Sequence, residues 1–349
     1  MFYLPQINGN KTSVFIIIFM FIVIIPATAI IMLTITTTTN PVYGHQDKTN
    51  FNSTDSLNIQ SIPAKKVHVG DIDIAYKMLG KGDPILLFNG ASDGMDQWDP
   101  SFPMTLSSNH TVIAFDSRGL GNTTMGSKQY SMQQLADDAA GLLDALKIPK
   151  ADVMGYSLGS FIAQKFTIMY PDKVNSLVLV GSSCGGKDHT PKPPEFIKLM
   201  SEVVNKSLNN VSISQEEMKE FVAASVGSGW IRLHPEVLEN IPTMQQAKPG
   251  LSPEAMNNQN NAGQEWEDNP NWSGACDDLA KLGKPTLVIT GTDDNMYVPH
   301  VNSLKIAEKI PGAWLVQIKN AGHAVMDQYP EEMGKILNTF LSTTAQSNQ

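Results

Sequence analysis

Gly155-Tyr156-Ser157-Leu158-Gly159 is a Gly-x-Ser-x-Gly run between two informative neighbours. Ala151-Asp152-Val153-Met154 before it suits a short buried strand. Leu158 to about Tyr170 after it is apolar at helical spacing and stops at Pro171. Strand, sharp turn and helix in that order hold a serine at the tip of the turn, and the flanking glycines permit the close backbone approach. A serine hydroxyl attacks a carbonyl carbon efficiently only when a base takes its proton. The chemistry to look for is therefore a base, and a carboxylate to orient that base.

Gly181-Ser182-Ser183-Cys184-Gly185 has the same pattern and follows the apolar stretch Val174 to Val180. What comes next, Gly186-Lys187-Asp188-His189-Thr190-Pro191 and further prolines, cannot open a helix at once. Without a helix there is no such turn and no helix N-terminus to help hold an oxyanion. Ser183 is read as a loop serine, and Ser157 as the nucleophile.

Gly291-Thr292-Asp293-Asp294 follows the strand pattern Thr286 to Ile289, and Asn320-Ala321-Gly322-His323 follows Trp314 to Ile318. Both loops then fall at the same sheet edge as Ser157, in the chain order serine, acid, histidine. His323 is expected to take the Ser157 proton and return it to the leaving group. The acid holds the histidine tautomer and stabilises the imidazolium. A lone loop histidine is ordinarily a surface residue; the place of His323 after the last strand, in an Ala-Gly-His turn, singles it out.

The elements that must position these residues alternate along the chain. Lys66–Val69 and Ile72–Leu79 form a hairpin around Gly70-Asp71, and Ile85–Phe88 and Thr111–Phe115 are short strands. A helix capped by Ser131 runs to Leu146. Late helices are predicted over His300–Ile310 and Glu331–Leu341. Short apolar strands between helices predict an α/β fold, a mostly parallel sheet covered on both faces. From Gly185 to about Leu282 the strand patterns stop. Helices are expected over Glu195–Leu208 and, with a Ser214…Glu217 capping box, over Ser214–Ala224. Shorter ones are expected over Pro235–Asn240 and Pro253–Asn261. This insertion reads as a cap over the strand C-termini, where open α/β sheets bind ligands. Its Trp230, Trp266 and Trp272 are candidate substrate-binding residues.

Val14 to Ile35 is free of charge and nearly all Ile, Phe, Met, Val and Leu, long enough to span a bilayer. Ala27-Thr28-Ala29 is also a cleavage pattern, so a membrane anchor and a long signal peptide are both open. Lys11 ahead of the run favours the N-terminus inside, which places the remainder on the extracytoplasmic side. The expected organisation is a signal peptide or anchor over 1–35, a polar linker over 36–62, core over 63–185 and 283–343, a cap over 186–282 and a tail over 344–349.

Acidic residues outnumber basic ones 34 to 25 with no basic block, which argues against a nucleic-acid partner. The histidines are scattered and lack metal-ligand spacing, so neither metal nor cofactor is expected. Cys184 and Cys276, the only cysteines, bracket the cap; a disulfide and two unpaired thiols both fit.

The chain resembles the α/β-hydrolase superfamily from about Lys65 to Leu341, specifically its capped serine esterases and cofactor-free haloperoxidases. Asp116-Ser117-Arg118-Gly119-Leu120-Gly121 is similar to that family's Asp-x-Arg-Gly-x-Gly loop. Gly291…Asp294 is similar to its acid loop, which implies Asp294 as the acid. Pro299 comes one residue later than is usual, which keeps Asp293 in play. The resemblance implies an oxyanion hole made by the N–H groups of Ala91 and Leu158, although Asn89-Gly90 stands where His-Gly is normal. Ser157 in place of Asp argues against epoxide hydrolases and haloalkane dehalogenases. The expected activity is cleavage of small to medium, largely apolar carboxylic esters through an acyl-enzyme. A perhydrolase or haloperoxidase using the same triad is the alternative, and a membrane-tethered, non-catalytic ligand-binding module is a third reading.

Overall fold

A computed structural model describes residues 2–3, 59–208, 211–239, 241 and 252–347. The expected signal or anchor run, Val14 to Ile35, lies outside them. Among the described residues no helix is long and apolar enough to cross a membrane.

Among the described residues eight strands carry the core: β1 (Lys65–Val69), β2 (Ile72–Leu79), β3 (Asp83–Phe88), β4 (His110–Phe115), β5 (Ala151–Tyr156), β6 (Val174–Val180), β7 (Thr286–Gly291) and β8 (Trp314–Ile318). They lie in the order β1-β2-β4-β3-β5-β6-β7-β8, and a two-residue strand, Phe2–Tyr3, pairs with Val316 and Gln317 at the far edge. The β1–β2 and β2–β4 pairings are antiparallel; those from β4 onwards are parallel. Parallel strands put the C-terminal ends of β3, β5, β6, β7 and β8 at one edge.

Strand side chains alternate between two apolar layers, as a pleat of period two requires. Leu86 and Phe88, Val153, and Leu177 and Leu179 face one layer. There they meet α2 (Met132–Ala145), α3 (Leu158–Met169), α8 (Cys276–Leu282) and α9 (Val301–Lys309). Ile85 and Leu87, Met154, and Val178 and Val180 face the other, against α1 (Ser101–Ser107), α10 (Val325–Gln328) and α11 (Pro330–Ser347). The Ser131 hydroxyl accepts from the Gln134 N–H at 3.1 Å and caps α2.

Between β6 and β7 come α4 (Pro194–Leu208), α5 (Gln215–Val226), α6 (Ser228–Leu233) and α7 (Pro253–Asp268). The Ser214–Glu217 capping box is formed at α5. The insertion enters and leaves at a narrow neck. There Ala275 N–H donates to Cys184 O at 2.9 Å, Lys187 N–H donates to Trp272 O at 3.1 Å, and Cys184 is bonded to Cys276.

Three sequence boundaries need correction. First, the stretch read as cap up to 282 ends earlier. Cys276 and Leu279 of α8 are buried in the layer with α3 and α9, so this helix belongs to the core. Second, the linker read to 62 is docked from Ile59, which is fully buried and whose carbonyl accepts from Lys77 Nζ at 3.0 Å. Third, α11 continues to Ser347, through most of the expected tail.

Candidate active site

Ser157 lies between β5 and α3 with φ 53° and ψ −124°, a positive φ that non-glycine residues rarely adopt. Its neighbours explain how the turn is closed. A Cβ on Gly155 would lie 2.3 Å from Gly159 O, and one on Gly159 would lie 2.3 Å from Phe88 O. Only hydrogen fits at either position, so the turn packs against the end of β3 and leaves Ser157 half-buried at its tip.

His323 Nε2 lies 2.8 Å from Ser157 Oγ, and His323 Nδ1 lies 2.6 Å from Asp294 Oδ2. An ionised carboxylate only accepts, so Nδ1 carries the proton and Nε2 is left to accept the serine hydroxyl. Asp294 and His323 are buried, 0% and 1% exposed. Asp294 Oδ1 also accepts from the Val298 N–H at 3.2 Å. The adjacent carboxylate points elsewhere: Asp293 Oδ2 accepts from the Gly229 N–H at 2.6 Å and from the Ser228 hydroxyl at 3.3 Å. Of the two candidate acids, Asp294 therefore reaches the histidine and Asp293 holds the start of α6.

Both loops are tied down. Asp293 N–H donates to Ala321 O at 2.8 Å, Ala324 N–H donates to Ser225 O at 3.0 Å, and Gly322 N–H donates to Gln328 Oε1 at 3.1 Å. Two tyrosine rings stack on the imidazole, Tyr156 at 5.5 Å and Tyr297 at 5.0 Å, and the Tyr156 hydroxyl donates to His323 O at 3.0 Å. Burial pushes both phenols well above their ordinary pKa, so they remain neutral.

The loop after β3 has its amides assigned almost completely. Gly90 N–H donates to Asn89 Oδ1 at 2.8 Å, Ser92 N–H to Gln259 Oε1 at 2.7 Å, and Asp93 N–H to Gly90 O at 3.3 Å. Among the described residues, no acceptor lies in hydrogen-bond reach of the Ala91 and Leu158 N–H groups. Asn89 braces the loop with its other end, donating from Nδ2 to Gly94 O at 2.9 Å. Neither Asn89 nor Gln259 carries a motif that marks it in the sequence. Asn89 stood out only as a departure from the family pattern, and Gln259 arrives from α7, with no local signal.

The cap tryptophans make packing contacts. Trp266 stacks on Phe161 of α3 at 5.8 Å and donates from Nε1 to Ser183 O at 3.3 Å; Trp272 meets Trp266 edge-on at 4.5 Å. Trp230 stacks on His234 at 4.0 Å and is buried in a cap cluster with Met218, Val222, Val226 and Ala324. Ser183 is fully buried, with its hydroxyl 2.9 Å from His189 Nδ1, so it cannot meet a substrate. Burial pushes the His189 pKa down.

Asp116 and Arg118 are buried in hydrogen-bond networks of their own. Asp116 accepts from Met95 N–H at 2.8 Å and Asn122 N–H at 2.9 Å, and burial raises its pKa. Arg118, 1% exposed, binds both oxygens of Asp138 and both oxygens of Asp71. A polar cavity of about 680 Å³, lined by Asp83, His110, Asp152 and Asn338, lies at the opposite, N-terminal ends of the strands. Among the described residues no group of three or more His, Cys, Asp or Glu could hold a metal ion.

A positive-φ serine between two close-packed glycines, in hydrogen-bond reach of a histidine on the last loop, rests on a sheet of this strand order. The alpha/beta hydrolase fold family matches residues 83–330, and the chain belongs to that family. It is 29% identical over 265 residues to a poly(3-hydroxyalkanoate) depolymerase of Ectopseudomonas oleovorans, covering 75% of this chain and 86% of the relative. It is also 26% identical over 284 residues to BpoC of Mycobacterium tuberculosis, named for a non-heme bromoperoxidase, covering 78% of this chain and 98% of the relative. Among solved structures, a thermophilic esterase from Thermogutta terrifontis superposes with a TM-score of 0.64 at 26% identity, covering 80% of this chain and 99% of the esterase.

Proposed function

We propose that this hydrolase-family protein is a serine esterase that cleaves small to medium, largely apolar carboxylic esters through an acyl-enzyme. The observation that carries the reading is the unbroken chain Ser157 Oγ, His323 Nε2, His323 Nδ1, Asp294 Oδ2, at 2.8 and 2.6 Å. His323 takes the Ser157 proton as the oxygen attacks the ester carbonyl, and Asp294 stabilises the imidazolium that forms. The carbonyl oxygen becomes an oxyanion, received by the Ala91 and Leu158 N–H groups, each contributing about 3 kcal/mol of barrier lowering. His323 then protonates the departing alcohol. Water, deprotonated by the same imidazole, releases the acid and restores Ser157.

A second reading keeps the triad and replaces water with peroxide at the acyl-enzyme. The similarity to a relative named for a bromoperoxidase supports it. The intact serine, acid and histidine count against a purely ligand-binding module, which needs none of them. Residues 59–349 assayed on p-nitrophenyl esters of graded acyl length, with and without peroxide, decide the matter. Hydrolysis independent of peroxide and lost in Ser157→Ala is the expected result. Peroxide-dependent oxidation in its place selects the second reading, and no turnover together with retained ligand binding selects the third.

The enzyme is further proposed to work on the extracytoplasmic side, tethered or released by its N-terminal segment. The charge-free run Val14 to Ile35 behind Lys11 supports this, and so does the Cys184–Cys276 bond, since disulfides persist in oxidising compartments. Protease added to intact cells is expected to reach the domain. Full-length protein found only in the cytosolic fraction is the contrary result.

A further inference from the structure

Tyr297 touches the catalytic histidine and the cap with a single ring. On one side it lies nearly parallel to the His323 imidazole, centroids 5.0 Å apart and planes 6° from parallel. It also packs against Phe196 of α4 at 4.7 Å and edge-on against Phe221 of α5 at 5.7 Å. With Val203 these rings form a buried cluster. The loop that delivers Tyr297 wraps the acid: Val298 N–H donates to Asp294 Oδ1 at 3.2 Å, and His300 N–H donates to Asp294 O at 2.6 Å. This is the same loop in which Pro299 falls one residue later than the family pattern leads one to expect.

A flat aromatic face against an imidazole has two effects. It restricts rotation of the ring about its bond to the chain, which preserves the alignment of both nitrogens. It also stabilises the ring's positive charge when the serine proton arrives, because an aromatic face carries partial negative charge. The ring is itself held by α4 and α5, so its position depends on how those helices are seated.

We propose that Tyr297 is a positioning residue for His323, and that it makes the alignment of the imidazole depend on the seating of the cap. The proposal rests on the esterase-type triad reading. Several titratable groups face the imidazole or its neighbours. Asp294 binds Nδ1, Ser157 meets Nε2, and Tyr156 is a neutral phenol. Asp93 and Asp327 act on Tyr156 through space, Asp293 is occupied by Gly229, and His300 faces Asn295. From the cap, Phe196 and Phe221 pack on Tyr297.

The test compares native protein with Tyr297→Phe, Tyr297→Leu and Phe196→Leu. It follows the rate of Ser157 labelling by a fluorophosphonate, and p-nitrophenyl butyrate turnover, from about pH 5 to 9. Tyr297→Leu keeps the site dry but loses the aromatic face. Its kcat is expected to fall about tenfold with KM little changed, and its acidic limb to move about half a unit to lower pH, as the imidazolium is less stabilised. Tyr297→Phe restores both. Phe196→Leu lowers kcat about threefold at unchanged KM, by loosening the ring from the cap side. A Tyr297→Leu protein with native kcat and native acidic limb overturns the proposal, as does a Tyr297→Phe protein as damaged as Tyr297→Leu. Should Tyr297→Leu fail to fold, Phe196→Leu decides: an effect confined to KM overturns the link. Absence of labelling at Ser157 in the native protein defeats the triad reading itself, whereas labelled native protein with native kcat and an unmoved limb in Tyr297→Leu defeats only the role of Tyr297.

Discussion

Gln259 Oε1 on α7 accepts the Ser92 amide at 2.7 Å, joining residues 167 positions apart in the chain. The contact fixes the loop after β3 from the cap side, one residue beyond the proposed oxyanion donor Ala91. Ser92 is 8% and Gln259 3% exposed, so a Ser92 N–H deprived of Gln259 finds little water to replace it. Gln259→Leu is expected to lower kcat on a p-nitrophenyl ester about tenfold, because an oxyanion donor acts only when pre-oriented. The check is steady-state kinetics alongside a thermal melt; a loss seen only in the melt means the contact is structural.

Asp293 and Asp294 give a paired test at adjacent positions. Asp294→Asn leaves His323 with the wrong tautomer and is expected to lower kcat by up to ~10⁴. Asp293→Asn disturbs only the Gly229 and Ser228 contacts and is expected to stay within about tenfold of native. Equal losses in the two variants contradict the separation of roles seen here.

Gly159→Ala places a methyl 2.3 Å from Phe88 O and 2.4 Å from Asn89 O. Neither backbone oxygen can yield without moving the loop after β3. Activity is expected to fall at least about 100-fold, and stability by about 2 kcal/mol or more. Retained activity in this variant means that the turn is looser than its contacts indicate.

The Cys184–Cys276 bond closes a loop with a sequence separation of 92 residues. Loop-closure entropy of that size corresponds to a stabilisation of about 4.6 kcal/mol. A Cys184→Ala/Cys276→Ala double variant is expected to melt several degrees lower while still labelling at Ser157, since neither sulfur touches the triad. The measurement is calorimetry together with fluorophosphonate labelling.

Asp71 links the β1–β2 turn to Arg118, whose hydrogen bonds hold its carboxyl well below the usual range. A carboxylate with a depressed folded pKa binds fewer protons folded than unfolded. Its contribution is complete above the unfolded value of about 4 and is lost as pH falls through the folded one. The native protein is therefore expected to lose stability steeply below about pH 4, with a shallower slope in Asp71→Asn. Denaturant melts across that range report the slope. Identical slopes in the two proteins remove Asp71 as a source of the acid sensitivity.

The central strands β3 to β7 were legible because each is a short, largely buried apolar run, whereas β1 and β8 are partly exposed. Val174–Val180 and Trp314–Ile318 match their sequence patterns end to end. So was the serine turn, whose glycines are demanded by contacts only a hydrogen can satisfy. Helices of six or seven residues, α1, α6 and α8, escaped because they are too short to display a period. The helix from Pro253 runs on to Asp268, beyond the expected Asn261. Its buried face includes Gln259 and Glu267, polar residues that pair in three dimensions with Ser92 and Lys192. Tyr156 and Tyr297 had no local pattern to mark them, since their partner His323 lies far along the chain.

The neck at Cys184 and Ala275 brings the two ends of the insertion side by side, with a backbone hydrogen bond of 2.9 Å between them. A segment whose ends meet can be exchanged as a cassette without altering the path of the chain before or after it. The nucleophile, acid and histidine all lie outside that cassette, on residues that precede Cys184 or follow Ala275. On the function proposed above, the three reacting residues are thus carried by stretches of sequence separable from the cap. A lineage can trade one cap for another and keep its chemistry, provided that the incoming segment again offers partners for the Ser92 amide and the Tyr297 ring.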